Sequence, residues 1–411
     1  MNILLINQPV NNRGDESAHK GLLRSLIKQC PSVNITVLFI DESHDTVEQF
    51  KVNDSHVSYV ELQSSGNRYY KIVMGLFRHG MIKYTKISPT VRKIIKLYKE
   101  NDIILCAPGG ISMGGFQNWS HLYYLHLAKY LGKKLAYYGR SFGPFPSREK
   151  NQIIYKKYSF EILNYFSFLS IRDKRTEVLA KELNLNYVST VDSAFLDSPY
   201  VSLPKEILFD INNTEYIILV PNLLIWHYNY KDRISKTNVV LFFKTLIERL
   251  RHDYVDKKII MLPQTFNYHT YLGDDIYFFK ELKGYFSNDD SIIVMSDQFS
   301  SDIQQTIISK ACFLIGARYH SVVFALNNNT PFIALSYEHK ISGLLESLGK
   351  TDCMIDIENS LISRDLVYKT VDEICHKIHN IKKDEYVQCK AKKTAQYCLD
   401  QFINKFLKNE N

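Results

Sequence analysis

Residues Cys312–Tyr337 read CFLIGARYHSVVFALNNNTPFIALSY. CFLIG is a continuous apolar run of strand length, and Ala317 to Ser321 form a turn that opens a helix. SVVFAL has the all-apolar character of a buried helix, and PFIALSY is a second apolar strand. Continuous apolar strands joined through a helix predict a parallel sheet covered on both faces.

The same alternation extends outward. YIILVPNL, the helical NVVLFFKTLIERLRH, KKIIMLPQTF, SIIVMSD and the helical SDIQQTIISKA precede the opening stretch. Nearer the N-terminus, NILLIN, NITVLFI, DIILCAPGG, KLAYYGRSFGPF and FSFLSIRD read as strands, with helical patterns such as AHKGLLRSLIKQC between them. Separating the two series, DSAFLDSPYVSLPKEILFDINNTE holds two prolines and little periodicity. The expected fold is α/β, with two doubly wound domains facing a cleft: one over 1–195, a linker over 196–214, and a second over 215–380. A charged helix over 381–411 is expected to pack back towards the first domain. A chain of 411 residues is long enough for two such cores.

Hydrophobic residues make up 45% and charged residues 23%, as in ordinary globular proteins. A net charge of +8 suits anionic small molecules or an anionic membrane surface, and no motif points to nucleic acid. The seven cysteines are scattered and odd in number, which favours reduced thiols. MNILLINQPV reads as a first strand and not as a signal peptide, and no apolar run is long enough to span a bilayer. A cytoplasmic location is expected. The segment 67–100 interleaves nine Lys and Arg with Tyr69, Tyr70, Phe77 and Tyr84. That composition suits a membrane headgroup layer, and equally a solvated helical face.

In doubly wound sheets ligands bind beyond the carboxyl ends of the strands, and polar residues fall there. Gly14 permits a tight turn after the first strand, while Asp15 and Glu16 are either site residues or helix caps. Gly109 and Gly110, in APGGISMGG, permit close backbone approach to a ligand or simply make a turn. Arg140 and Arg172 each follow a strand, where a guanidinium could grip an anion or pair with an acid, Asp173 being the obvious one for Arg172. Gln264 ends a strand. Arg318, His320 and Ser321 sit at a helix start, with Lys340 after the following strand. Cationic groups gathered at one sheet edge suit a compact, doubly anionic ligand. His376 and His379 lack the companions a metal site requires, so no metal is expected.

In order and spacing, Gly14-Asp15-Glu16, Gly109-Gly110, Gly143-Pro144-Phe145, Ser170-Ile171-Arg172-Asp173, Arg318-Tyr319-His320-Ser321 and Ser336-Tyr337-Glu338-His339-Lys340 resemble the polysaccharide pyruvyl transferase family. The resemblance runs from about Asn2 to Gly349. It departs in having Pro108 where three successive glycines are usual, and Arg140-Ser141-Phe142 where Gln-Ser-Ile is common. The resemblance implies a GT-B-like fold of two Rossmann-like domains. It also implies an enzyme that moves pyruvate from phosphoenolpyruvate onto two hydroxyls of a sugar, forming a cyclic ketal without a cofactor. His320 would then be the general acid and Arg318 and Arg172 donor clamps. By extension Lys340 and Ser321 meet the donor, Asp15 or another acid of the N-terminal domain takes the hydroxyl proton, and the acceptor is a lipid-linked saccharide at the inner membrane face. A nucleotide-sugar glycosyltransferase of the same fold is the alternative.

Overall fold

The computed structural model describes residues 1–10, 12–63, 68–115, 117–211, 214–225, 233–266, 273–295, 299–337 and 339–408. Residue 67 of the basic segment, residues 212–213 of the linker and Glu338 lie outside these. The chain forms two compact units. The first comprises Met1–Val10, Ala18–Asp197 and Lys393–Asn411; the second comprises Asn11–Ser17 and Ser198–Lys392.

The strands of the first unit are β1 (Asn2–Ile6), β2 (Asn34–Ile40), β3 (Val57–Leu62), β4 (Ile103–Cys106), β5 (Gly109–Met113), β6 (Lys134–Tyr137), β7 (Arg140–Phe142), β8 (Phe168–Ile171) and β9 (Val188–Ser189). Seven of them make a parallel sheet in the order β3-β2-β1-β4-β6-β8-β9. Alternation along each strand divides the core in two. Leu4, Ile6, Ile104, Cys106 and Tyr137 pack into one cluster with Leu122, Leu125 and Tyr155. Ile3, Leu5, Ile103, Leu105 and Tyr138 pack into the other, with Leu22, Leu26, Phe402 and Phe406. Because both faces are buried, the strands read as continuous apolar runs. The glycine-rich turns hold more order than their sequence suggests: β5 and β7 pair in parallel as a separate two-stranded sheet.

The second unit holds β10 (Tyr216–Val220), β11 (Lys258–Met261), β12 (Ile292–Val294), β13 (Phe313–Gly316), β14 (Phe332–Ser336) and β15 (Met354–Asp356). They form one parallel sheet in the order β12-β11-β10-β13-β14-β15. The opening stretch supplies β13, the helix Tyr319–Asn327 and β14, and the two strands are neighbours. Since all six strands run one way, the carboxyl ends of β11, β13 and β14 lie at the same edge.

One local reading changes. The first helix starts at Arg13, not after Ser17, so Gly14, Asp15 and Glu16 occupy its first turn. That turn groups with the second unit because its backbone is tied there. The Arg13 amide donates to the Gln264 carbonyl (3.0 Å), Asn12 bridges Thr265, and the Ser301 amide donates to Glu16 Oε1 (3.0 Å). Among the described residues no helix is long and apolar enough to cross a membrane, and no group of three or more His, Cys, Asp or Glu could hold a metal.

Candidate functional site

The candidate residues of the second unit lie at the carboxyl edge of its sheet, mostly in the first turns of helices. His320 belongs to the helix Tyr319–Asn327, Lys340 to His339–Leu348, and Gly14 and Asp15 to Arg13–Gln29. First turns offer backbone N–H groups that no intrahelical carbonyl satisfies, which suits anions.

His320 and Gly14 are in intimate contact. A Cβ at Gly14 would fall 1.7 Å from Cγ of the imidazole and 1.9 Å from its Nδ1. The ring therefore lies where any other residue would put its side chain, flat against the backbone of the Arg13–Gln29 helix start. Tyr319 flanks it edge-on, with ring centroids 5.0 Å apart. Asp15 is buried, and Asn12 holds it from two sides. The Asp15 amide donates to Asn12 Oδ1 (2.8 Å), and Asn12 Nδ2 donates to Asp15 Oδ2 (2.6 Å). Beside it, Arg13 and Glu16 form a buried ion pair at 2.8 Å, and the Arg13 guanidinium lies over the Phe266 ring.

Arg318 does not stand as an isolated cation. Its Nε (3.1 Å) and Nη2 both donate to Oδ1 of Asp275, whose Oδ2 accepts the amides of Gln264 (3.0 Å) and Thr265 (2.9 Å). Four donors thus converge on one carboxylate that is only 2% exposed. Asp275 is the residue that sequence reading missed. Its signal was the Asp274-Asp275 pair at a helix start, where Asp274 already caps the helix and leaves Asp275 available for tertiary contacts. The pair lowers the net charge that Arg318 brings to the sheet edge, relative to a reading that counts cations alone. Its value is orientation: the carboxylate ties the guanidinium to the end of β11.

Gln264 is 2% exposed, and neither its amide nitrogen nor its amide oxygen has a hydrogen-bond partner among the described residues. A buried amide without protein partners is uncommon and calls for an explanation. The Ser321 hydroxyl donates to the Arg318 carbonyl (2.6 Å), closing the turn, and the absence of a Cβ at Gly316 makes room for it. It holds the turn that presents His320. Lys340 is half-buried in the first turn of its helix.

The remaining candidates belong to the first unit and serve its architecture. Arg140 is 2% exposed and donates to the carbonyls of Asn7, Ala107 and Gly110, to Ser112 Oγ and to Cys106 Sγ. It ties down the glycine turn instead of presenting a fork to a ligand. At Gly109 a Cβ would come within 2.8 Å of the Pro9 ring, while a Cβ at Gly110 would meet nothing within 4 Å. Arg172 pairs with the fully buried Asp192; the expected partner Asp173 instead caps the next helix, accepting from the Thr176 amide (2.8 Å).

Residues 12–339 match the family described as polysaccharide pyruvyl transferase. The chain belongs to the polysaccharide pyruvyl transferase family. Its coarse function is therefore pyruvyl transfer in polysaccharide synthesis. The amylovoran biosynthesis protein AmsJ of Erwinia amylovora is 24% identical over 406 residues, covering 90% of this chain and 91% of AmsJ. Among solved structures, the UDP-GlcNAc 2-epimerase of Neisseria meningitidis bound to UDP-GlcNAc is similar with a TM-score of 0.59 at 9% identity, covering all of both chains. The Methanocaldococcus jannaschii UDP-GlcNAc 2-epimerase gives 0.58 at 12%, covering 98% of this chain and 99% of that one. The trehalose-6-phosphate synthase OtsA gives 0.59 at 11%, covering 98% of each chain. At such identities the likeness shows the fold alone, which is GT-B.

Proposed function

We propose that this pyruvyl transferase uses phosphoenolpyruvate as donor and forms a cyclic ketal on two hydroxyls of a saccharide. The observation that carries the reading is the seating of His320 on Gly14, which fixes an imidazole among helix first turns at the carboxyl edge of the second sheet.

His320 delivers a proton to the methylene carbon of the donor, making it a methyl group and leaving the adjacent carbon electrophilic. The first sugar hydroxyl adds to that carbon and loses its proton, with Asp15 as acceptor. The C–O bond to phosphate then breaks, and the second hydroxyl adds and loses its proton. Two hydroxyl protons are released in all: one balances the proton gained by the methyl group and the other leaves with phosphate as hydrogen phosphate. Arg318, oriented by Asp275, and Lys340 stabilise the donor's carboxylate and phosphate, assisted by N–H groups of the helix starts. Gln264 offers an amide donor and acceptor to the same ligand. This reaction needs no cofactor. We read the acceptor as a lipid-linked saccharide, met in the cytoplasm at the inner membrane face.

The test is incubation with phosphoenolpyruvate and lipid-linked saccharides, following phosphate release and the mass of the sugar. Phosphate release together with addition of one pyruvyl mass is expected. Consumption of a nucleotide sugar, with phosphoenolpyruvate untouched, would overturn the proposal in favour of glycosyl transfer.

A further inference from the structure

The 3₁₀ helix Ile82–Ile87 divides its neighbourhood into rows, because side chains three apart eclipse in this geometry. Ile82, Thr85 and Ser88 face inward; Thr85 is 1% exposed and Ser88 3%. Met81, Tyr84 and Ile87 form a second row, 38%, 52% and 52% exposed. Lys83 and Lys86 form a third, also exposed. The apolar row is held outward by the inner one. Thr85 Oγ1 donates to the Ile82 carbonyl (2.7 Å) and accepts from the Tyr123 hydroxyl (2.9 Å). Arg92 Nη1 donates to the carbonyls of Lys86 and Ile87 (3.0 and 3.1 Å), fixing the other end.

The surroundings are strongly basic. From Arg68 to Glu100 the chain has nine Lys and Arg, and Glu100 is the sole acid. The helix Arg68–Arg78 adds exposed Ile72 beside Arg68 and Lys71, and Pro89–Glu100 adds Arg92, Lys93, Lys96 and Lys99. The Lys83 ammonium lies over the Tyr84 ring at 4.9 Å, so cation and aromatic share one patch.

We propose that this patch docks the first unit on an anionic bilayer, with Met81, Tyr84 and Ile87 entering the headgroup layer and the surrounding cations meeting lipid phosphates. Charge complementarity selects this occupant. A second copy of the chain would set like charges face to face. A soluble acidic polymer would use the cations but has no use for three apolar side chains fixed outward. The inference deepens the lipid-linked acceptor reading, and it is tested without donor or acceptor, so its failure and that of the transfer reaction are distinguishable.

The test is co-sedimentation of the full chain with vesicles of phosphatidylcholine alone and of phosphatidylcholine with phosphatidylglycerol, at low and rising salt. Binding to the anionic vesicles, weakening with salt, is expected. Lys83→Gln and Lys86→Gln should each weaken it about fivefold, the equivalent of about 1 kcal/mol per cation. The triple variant Met81→Ser, Tyr84→Ser, Ile87→Ser keeps every charge and should still lose most binding, with an unchanged melting curve confirming that these exposed changes leave the fold intact. Absent sedimentation at low salt, equal binding to neutral vesicles, or full binding by the triple variant would each overturn the proposal. So would binding to dextran sulfate that rivals the vesicles and survives the triple substitution.

Discussion

Gly14→Ala tests the seat of His320 most directly. The added methyl would lie 1.7 Å from the imidazole Cγ, whereas carbon atoms normally stop about 3.5–4.0 Å apart. The ring must therefore retreat by about 2 Å, or the helix start must move. Overpacking of this kind costs about 1–3 kcal/mol. Displacing a catalytic group by even about 1 Å lowers turnover on the order of 100-fold. His320→Ala should lower kcat/KM by about 10²–10⁴ while removing the ring and leaving only its Cβ near the added methyl. In that background the first substitution should cost much less. Alanine is favoured over glycine within a helix by about 0.5–1 kcal/mol, which offsets the crowding that the remaining Cβ causes. The pair should consequently show a coupling of about 1–3 kcal/mol in urea denaturation, while the double variant stays as inactive as His320→Ala. Activity is read as phosphate release from phosphoenolpyruvate with acceptor present. Wild-type turnover in Gly14→Ala, or strictly additive stability effects, would refute the reasoning.

Arg318→Lys should raise the donor KM roughly tenfold or more, because a point charge cannot reproduce two contacts to Asp275 and also face a donor; an unchanged KM would make Arg318 purely structural. Gln264→Leu should leave stability unchanged or raised by up to about 1 kcal/mol, since it removes two buried polar atoms without protein partners, yet activity should fall. Loss of stability at full activity would reverse that assignment. Burial, with the nearby cations Lys20 and Arg24, pushes the His19 pKa from 6.5 down to about 3. The unfolded chain is therefore protonated first, and stability present above pH 6.5 falls as pH drops towards 3, by about 1.4 kcal/mol per unit, or about 2 kcal/mol by pH 5. Urea midpoints at pH 7 and pH 5 should show a smaller difference in His19→Gln, and parallel profiles would contradict this.

Much of the fold was legible because burial on both faces leaves a strong trace: NILLI, IILC, YIILV and FLIG are uninterrupted apolar runs, and each is a central strand. The strands β5 and β7 left no such trace, since GGISM and RSF are short and mixed in character. The candidate site was legible as positions after strands, and His320 and Gly14 proved to be in contact although 306 positions separate their numbers. Partner choice was not legible. Arg318 pairs with an acid 43 residues away and Arg172 with one 20 residues away, whereas sequence reading looks to adjacent acids. Arg140 misled for a related reason, because an arginine after a strand looks the same in sequence whether it faces ligand or carbonyls.

The Arg140 guanidinium is held by carbonyls, a hydroxyl and a thiol instead of carboxylates. Acidification still reaches the knot that shapes the Gly109–Met113 strand, because burial and the Arg140 charge hold the pKa of nearby His121 well below that of an ordinary imidazole, so the unfolded chain takes up the proton first. Failure in acid should therefore begin at two buried imidazoles, His19 and His121, the second of which takes the knot with it, and amide hydrogen exchange can follow these local openings strand by strand.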